Sequence, residues 1–404
     1  MGQTKTTLSP QPRPILWFRP QIQFMALDLS TWLLVLPVAF VLGWVASRLD
    51  LRQMRIESRT NPKAYFKGLN HLLNEQQDQA IDAFIEAVQH DPDTSELHFA
   101  LGNLFRRRGE YERAVRVHQH LLSRGDLSTS DRERAQHALA MDYLKAGILD
   151  RAESGFRGLL DTALAQSSLL ALLSIYERTQ EWSEAYDMAT RLETQGQSNF
   201  SARRAHYLCE LTQSEPEAAK RIERLSMAVA ISPSSARPRI ALMKAYLELN
   251  QQDEAVHQLM ALHEHAPAHL GLASSELIKL ASSVQHEANV LRVLRENHAQ
   301  TRSLDVLGAW VHIVQQSKPE AARALLADHL NHQPSLSVAT QWLAGETFTH
   351  EDMHPLIQQA LQKAVQPLRR YRCAACGFEA NRHFWHCPGC QAWDSFPPHR
   401  IEER

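Results

Sequence analysis

From about residue 61 to residue 365, apolar residues recur at helical spacing in stretches of roughly 12 to 15 residues separated by short polar breaks, and almost nothing alternates as a strand would. That pattern predicts an all-α region of paired helices. Two stretches of the chain fall outside it. Upstream, Leu29 to Ser47 runs nineteen residues without a charge, through Trp32, Leu36, Phe40, Leu42 and Trp44. As a helix it spans about 28 Å, close to the hydrocarbon thickness of a bilayer. Pro37 and Gly43 are costly in a soluble helix but tolerated in a membrane one. Downstream, the helical period stops near residue 365, and Tyr371, Phe378, Phe384, Trp385 and Trp393 crowd a segment too short to bury a core unaided.

Within the helical region the pattern returns at a fixed interval. Gly68, Ala80, Phe84, Ala87 and Pro92 stand at the spacing of the tetratricopeptide repeat, in which small residues let two antiparallel helices touch, an aromatic fills the gap and proline ends the unit. Gly102, Phe105 and Ala114 repeat that register 34 residues later. Tyr143, Ala152 and Phe156 continue it, then Tyr176 and Ala185, then Tyr246, Ala255 and Pro267, while Leu225, Ala228 and Pro233 keep half of a degenerate unit. After about residue 270 the register blurs, although Ala288 and the stretch from Gly308 to Ala327 still read as helical pairs. Roughly six to eight units are expected. Stacked pairs form a superhelix whose concave face, lined by first helices, holds a peptide or a protein surface. In the second unit the inward positions fall at Glu96, Phe99, Asn103, Arg106 and Arg107, a polar and cationic set around one aromatic that suits an acidic partner segment. Read for structure alone, Arg106 and Arg107 are a solvated face.

The C-terminal segment carries the strongest chemical signal. Cys373/Cys376 and Cys387/Cys390 are two Cys-x-x-Cys pairs, and each short turn offers two thiolates to one tetrahedral ion. Gly377 after the first pair and Pro388-Gly389 inside the second allow tight turns whose backbone N–H groups point at sulfur. His383 and His386 lie between the pairs but are read as non-ligands, because four cysteines saturate the tetrahedron. One iron or zinc ion per chain is expected, since both accept four thiolates. Such a closed site offers no open position to a substrate. The fifth cysteine, Cys209, lies in an apolar helical stretch and is read as a core residue.

Composition narrows the setting. With 44% hydrophobic and 22% charged residues the 404-residue chain can bury a large core, and its formal net charge of -2 argues against a general nucleic-acid binder. Few cysteines outside the knuckle point to a reducing compartment, the cytoplasm. Arg48, Arg52, Arg55, Arg59 and Lys63 follow the apolar span against Asp50 and Glu57, which places the bulk of the chain on the cytoplasmic side. The span ends without a small-x-small cleavage site, so it is read as a retained anchor. The expected layout is residues 1–24 as a disordered extension or the product of an upstream start codon, 25–47 as a transmembrane helix, 48–60 as a basic juxtamembrane linker, 61–365 as tetratricopeptide repeats and 371–396 as the metal knuckle.

One motif raises the question of catalysis. His350, Glu351, Asp352, Met353 and His354 spell H-E-x-x-H, the zinc-protease pattern. That chemistry needs both histidines inside a helix, whereas Pro355 follows at once and Thr349 with Asp352 reads as a helix N-cap. No phosphate-binding loop, dinucleotide fingerprint or nucleophile elbow occurs. The chain is therefore read as a binding protein and not an enzyme.

The order of span, repeats and knuckle resembles the lipopolysaccharide assembly protein B family of Gram-negative bacteria. The resemblance is carried by Leu101, Gly102, Asn103, Leu104, Phe105 and Arg106 in the array, and by Tyr371, Cys373, Cys376, Gly377, Trp385, Cys387, Pro388, Cys390 and Trp393 at the end. It implies an all-α tetratricopeptide superhelix with an N-terminal transmembrane helix and a small rubredoxin-like knuckle whose four cysteines hold iron or zinc. It also implies a single-pass inner-membrane adaptor facing the cytoplasm. Its partners would be a membrane AAA+ metalloprotease, the lipid A pathway deacetylase that the protease degrades, and an inner-membrane protein that senses lipopolysaccharide; homo-oligomerisation is left open. Two other readings stand beside it: a scaffold for lipopolysaccharide-synthesising enzymes with no part in proteolysis, and a redox protein using the knuckle as a one-electron centre.

Overall fold

The computed structural model describes residues 37–45, 63–90, 94–196, 199–346 and 353–403. Residues 37–45 form α1, the described part of the apolar run, with Phe40, Leu42 and Trp44 all exposed. Among the described residues no helix is long and apolar enough to cross a membrane. The rest of the expected 25–47 span, the 1–24 extension, the basic residues from Arg48 to Arg59, and Pro92 lie outside the described residues.

Contacts divide the chain at Thr94 into two units. In the first, α2 (Lys63–Leu73) and α3 (Gln77–His90) pack on each other across a short turn. Ala80, Phe84 and Ala87 are fully buried, and a Cβ on Gly68 would lie 2.9 Å from the Phe84 ring. The small residue and the aromatic thus meet face to face, as the repeat spacing predicts.

The second unit continues as helix pairs. These are α4 (Ser95–Arg107) with α5 (Tyr111–Ser123), α6 (Thr129–Ala146) with α7 (Leu149–Arg157), α8 (Ala165–Thr179) with α9 (Trp182–Thr194), and α10 (Ser201–Leu211) with α11 (Ala218–Ile231). Then come α12 (Ala236–Glu248) with α13 (Gln252–His265), α14 (Ser274–Ala281) with α15 (Val284–Thr301), α16 (Leu304–Ser317) with α17 (Pro319–His332), and α18 (Leu336–Leu343) with α19 (His354–Val365). Pairing persists past residue 270, where the sequence register blurs. There Leu277, Leu280, Val290, Val293 and Leu294 are fully buried without the alanine and aromatic signature, so branched aliphatic packing keeps the hairpin that the consensus residues no longer mark. A 3-10 turn at Pro267–Ala273 leads into α14.

The turns repeat one device. Glu110 N–H bonds Phe105 O, Ile148 N–H bonds Tyr143 O, Glu181 N–H bonds Tyr176 O and Gln251 N–H bonds Tyr246 O, each at 2.9 Å. This is the six-to-one closure of a helix C-terminus. It needs a left-handed residue, supplied by Gly109 (φ 80), Gly147 (φ 79), Gln180 (φ 63) and Asn250 (φ 57).

Between the first two pairs of this unit the core is polar. His118 stands 34 residues after Phe84, in the aromatic's place, and is fully buried over Gly102. Its Nδ1 lies 2.5 Å from Asp142 of α6, whose other oxygen accepts from Arg106 of α4 at 2.7 Å. Arg106 also donates to Ala138 O at 3.1 Å. A buried carboxylate held from two helices fixes the stacking of one pair on the next, since parting them would strand a charge.

Gly102→Ala tests this packing. The added methyl would lie 2.4 Å from the His118 ring, which Asp142 prevents from swinging away. The variant is expected to lose about 1–3 kcal/mol in denaturant unfolding of the full chain, as for other overpacked cores, whereas Gly125→Ala, with open space around it, should be neutral. Equal stability of the two would contradict the packing.

Candidate metal centre

The knuckle is a two-stranded antiparallel hairpin with turns at each end. β1 (Tyr371–Arg372) pairs with β2 (Glu379–Ala380), and His386 bridges to Trp393. Gly377, at φ 78, donates to Cys373 O at 3.0 Å, and Cys373 N–H returns to Phe378 O at 2.9 Å. In the second turn Gln391 N–H reaches Cys387 O at 2.8 Å and Cys387 N–H reaches Ala392 O at 3.0 Å. The two loops are near copies, so each presents two sulfurs toward the other.

The four sulfurs come together. All lie within 4.8 Å of one another, with Cys373 to Cys390 at 3.8 Å and Cys376 to Cys387 at 3.7 Å. A tetrahedron with metal–sulfur bonds of about 2.3 Å has edges of about 3.8 Å, so the spacing fits an iron or zinc ion. His383 turns its Nε2 to Phe396 O at 2.9 Å and His386 its Nε2 to Gln391 O at 3.0 Å, so neither joins the sulfurs. Burial works against ionising Cys373, but the Ser395 hydroxyl, 3.3 Å from its sulfur, and the backbone N–H groups of Cys376 and Ala375 outweigh it and bring the thiol down to about 6. At Cys376 the Phe378 N–H favours the thiolate, yet desolvation and the three crowded sulfurs push it up to about 12. A shared cation would relieve the crowding of the sulfurs and favour their thiolate forms.

The knuckle sits on the array through a buried seam. Trp393 stacks on His386 at 4.4 Å and His206 at 4.9 Å, meets Trp182 and Tyr207 edge-on, and donates to Glu177 at 2.9 Å. Asp394 takes His206 Nε2 at 2.9 Å; burial raises its carboxyl pKa, but the His206 bond outweighs that and holds it below its ordinary value. Farther along, Tyr371 donates to Asp305 and Arg400 bonds the same carboxylate at 2.7 Å, its guanidinium 4.5 Å over the Tyr371 ring. Burial, then Asp305, drive the Tyr371 phenol well above its usual pKa. Leu272 closes the cluster of Tyr371, Cys373, Cys387 and Phe396. The tail finishes the seam: Glu403 accepts from Leu304 N–H at 2.7 Å and Glu402 from Ser337 N–H at 3.0 Å, two carboxylates on helix N-termini.

The residues expected on the concave face are placed differently from one another. Phe99 is only 5% exposed and packs on Leu121, Ala135 and Ala138 under the Arg134 guanidinium, so it belongs to the core. Arg106 is spent on Asp142 and on Asn103. Glu96 pairs with Arg134 at 2.8 Å. Asn103 is half-buried and Arg107 exposed. Cys209 is buried among Leu225, Leu242 and Ala245. His354 opens α19 with Pro355 beside it, while Thr349, His350, Glu351 and Asp352 lie outside the described residues. Sequence reasoning missed Glu177, Trp182, His206 and Asp305, whose partners lie as far as 216 residues away and leave no local signal.

Fold and site together define a tetratricopeptide-repeat protein that carries a tetrathiolate knuckle of rubredoxin type. Residues 97–133 match the tetratricopeptide repeat family and residues 371–398 the rubredoxin metal binding domain. Over 384 residues the chain is 31% identical to lipopolysaccharide assembly protein B of Escherichia coli (strain K12), covering 91% of this chain and 97% of that one. Over 387 residues it is 28% identical to lipopolysaccharide assembly protein B of Haemophilus influenzae, covering 90% and 97%. The chain belongs to the lipopolysaccharide assembly protein B family. Among solved structures, the TPR2AB-domain:pHSP90-complex of yeast Sti1 aligns with 66% of this chain and 97% of its own at 15% identity and a TM-score of 0.35, too slight a likeness to carry an argument.

Cys373→Ser removes one ligand and the sulfur beside Ser395. Purified full-length protein should then lose most of its bound metal by elemental analysis, and residues 371–393 should become susceptible to limited proteolysis, because metal binding here is folding energy. A variant as protease-resistant as the parent, from a parent holding under about half a metal per chain, would exclude the tetrathiolate site.

Proposed function

We propose that this protein acts in lipopolysaccharide assembly as a membrane-associated adaptor, without catalysis of its own, that presents the lipid A pathway deacetylase to a membrane AAA+ metalloprotease and answers to a lipopolysaccharide-sensing inner-membrane protein. The observation that carries the reading is relationship along nearly the whole length of a lipopolysaccharide assembly protein, 97% of the Escherichia coli chain. The architecture supports it. A helical repeat array is a surface for protein partners. Four sulfurs saturate a tetrahedron, which makes the metal a structural fixture. The charge-free run from Leu29 to Ser47, whose described part is a helix with exposed Phe40, Leu42 and Trp44, suits a lipid environment with the chain's bulk in the cytoplasm. Confinement to the bilayer plane raises the adaptor's effective concentration near a membrane protease.

The test is the deacetylase half-life after translation is stopped, compared among strains with the intact gene, a deletion, and a variant lacking residues 1–47. Deletion should lengthen the half-life several-fold, and the anchorless form should fold yet fail to restore degradation. An unchanged half-life in the deletion strain would reject the adaptor and leave the scaffold for synthetic enzymes as the better account.

A further inference from the structure

The knuckle covers one part of the array's inward face and leaves another part open. Its ring and hydrogen-bond contacts begin at Glu177 near the end of α8 and run on through His206 of α10 and His269 to Asp305 of α16. These contacts show that the first helices meet the knuckle from Glu177 onward, so α4, α6 and the part of α8 before Glu177 lie outside its contacts; Glu177 itself is in register with Arg106 and Leu144, eight residues ahead of the repeat alanine.

Three cations stand at the ends of these first helices, the third of them, Arg178, at the knuckle's edge directly after Glu177. Arg107 ends α4, Lys145 lies in the last turn of α6 and Arg178 in the last turn of α8. All three are exposed, and each stands seven residues ahead of a buried repeat alanine, Ala114, Ala152 or Ala185. They therefore occupy one register position on three successive first helices. One turn earlier the row reads Asn103, Met141 and Ser174, and before that Leu170 is 46% exposed.

These three cations share a register position and also lack a counter-charge. Among the described residues none of the three side chains has an ion pair or hydrogen bond. Neighbouring arginines are compensated: Arg106 by Asp142, Arg113 by Glu110, Arg157 by Glu153 and Arg204 by Glu193. A cation at a helix C-terminus complements the helix dipole, and that accounts for each residue singly. It does not account for three uncompensated cations in register, in a chain whose formal net charge is -2. On α10 and α12, the next two first helices, the last turn holds no basic residue, and one returns only at Lys279 of α14.

We propose, building on the array's role as a binding surface, that Arg107, Lys145 and Arg178 form a three-rung ladder that docks an extended acidic segment of a partner protein. Carboxylates sit on the rungs, and an apolar side chain between them covers Leu170 and Met141. The knuckle stops the groove just beyond Arg178, where Trp393 holds Glu177. The overall negative charge disfavours the polyanionic alternative of nucleic acid.

The experiment is fluorescence anisotropy with the full-length, metal-loaded chain in detergent and a labelled extended peptide of alternating glutamate and leucine. The same peptide with glutamine for glutamate, labelled single-stranded DNA and phosphatidylglycerol vesicles are run beside it. The glutamate peptide should bind, the glutamine peptide should not, and affinity should fall with added salt. Each of Arg107→Gln, Lys145→Gln and Arg178→Gln should weaken binding about two- to fivefold and the triple variant about tenfold or more, the range expected for exposed ion pairs. Arg295→Gln, which removes an exposed cation on α15, should change nothing. Because the three side chains have no internal partner, the triple variant should melt like the parent, so lost binding cannot be put down to misfolding. Undiminished binding of the glutamate peptide by the triple variant would overturn the ladder, as would equal binding of the glutamine peptide. Loss of DNA or vesicle binding in the triple variant with no glutamate-peptide binding in the parent would also overturn it. None of these outcomes alters the deacetylase half-life, so the ladder and the adaptor role can fail separately.

Discussion

The seam between the metal knuckle and the first helices of the array is the contact on which the rest of this architecture turns. A repeat array is quasi-one-dimensional: each pair touches its neighbours, and nothing local stops it bending or fraying. Here Trp393 on Glu177 and His206 fastens α8 and α10, while Tyr371 and Arg400 on Asp305 fasten α16. One short segment therefore ties repeats that are far apart in sequence. The cost is two buried phenols, Tyr207 and Tyr371, and several half-buried charges, and these are tolerated because each is paired. Leaving Asp305, only 13% exposed, without its partners would strand a largely buried carboxylate.

That seam makes the metal more than a local staple. Residues 371–398 have a core of Tyr371, Cys373, Cys387 and Phe396, too little apolar area to fold alone. Two of those four are thiols, so the cluster depends on a cation to hold them. Tyr371 and Trp393, both of which reach into the array, stand two and three residues from a metal-binding cysteine. Order in the array's second half is thereby linked to the occupancy of the sulfur site. The same placement covers the first helices from Glu177 of α8 onward and leaves α4 and α6, with Arg107 and Lys145, outside the knuckle's contacts.

Much of this was legible in the sequence, for physical reasons. Four cysteines in two tight turns specify their own geometry, since the Gly377 and Gly389 turns leave the sulfurs few directions. Gly68 against the Phe84 ring is likewise a local rule, because a side chain at residue 68 would keep the two helices apart. What was not legible depends on contacts between distant elements. Phe99 and Arg106 sit at register positions that usually face a ligand, yet His118 replaces an aromatic, Asp142 is buried to meet it, and Arg106 turns in to compensate. Only the spatial meeting of three helices reveals that. The seam residues Glu177, His206 and Asp305 resemble ordinary polar helix positions until the knuckle arrives.

Hydrogen–deuterium exchange on the full-length chain, before and after removal of metal by a chelator, tests most directly whether the sulfur site governs the array. The account predicts that protection falls not only in residues 371–398 but also along the seam-facing helices α10 and α16, while α4 and α6, beyond the knuckle's reach, keep theirs. Loss of protection confined to residues 371–398, with α10 and α16 unchanged, would contradict it.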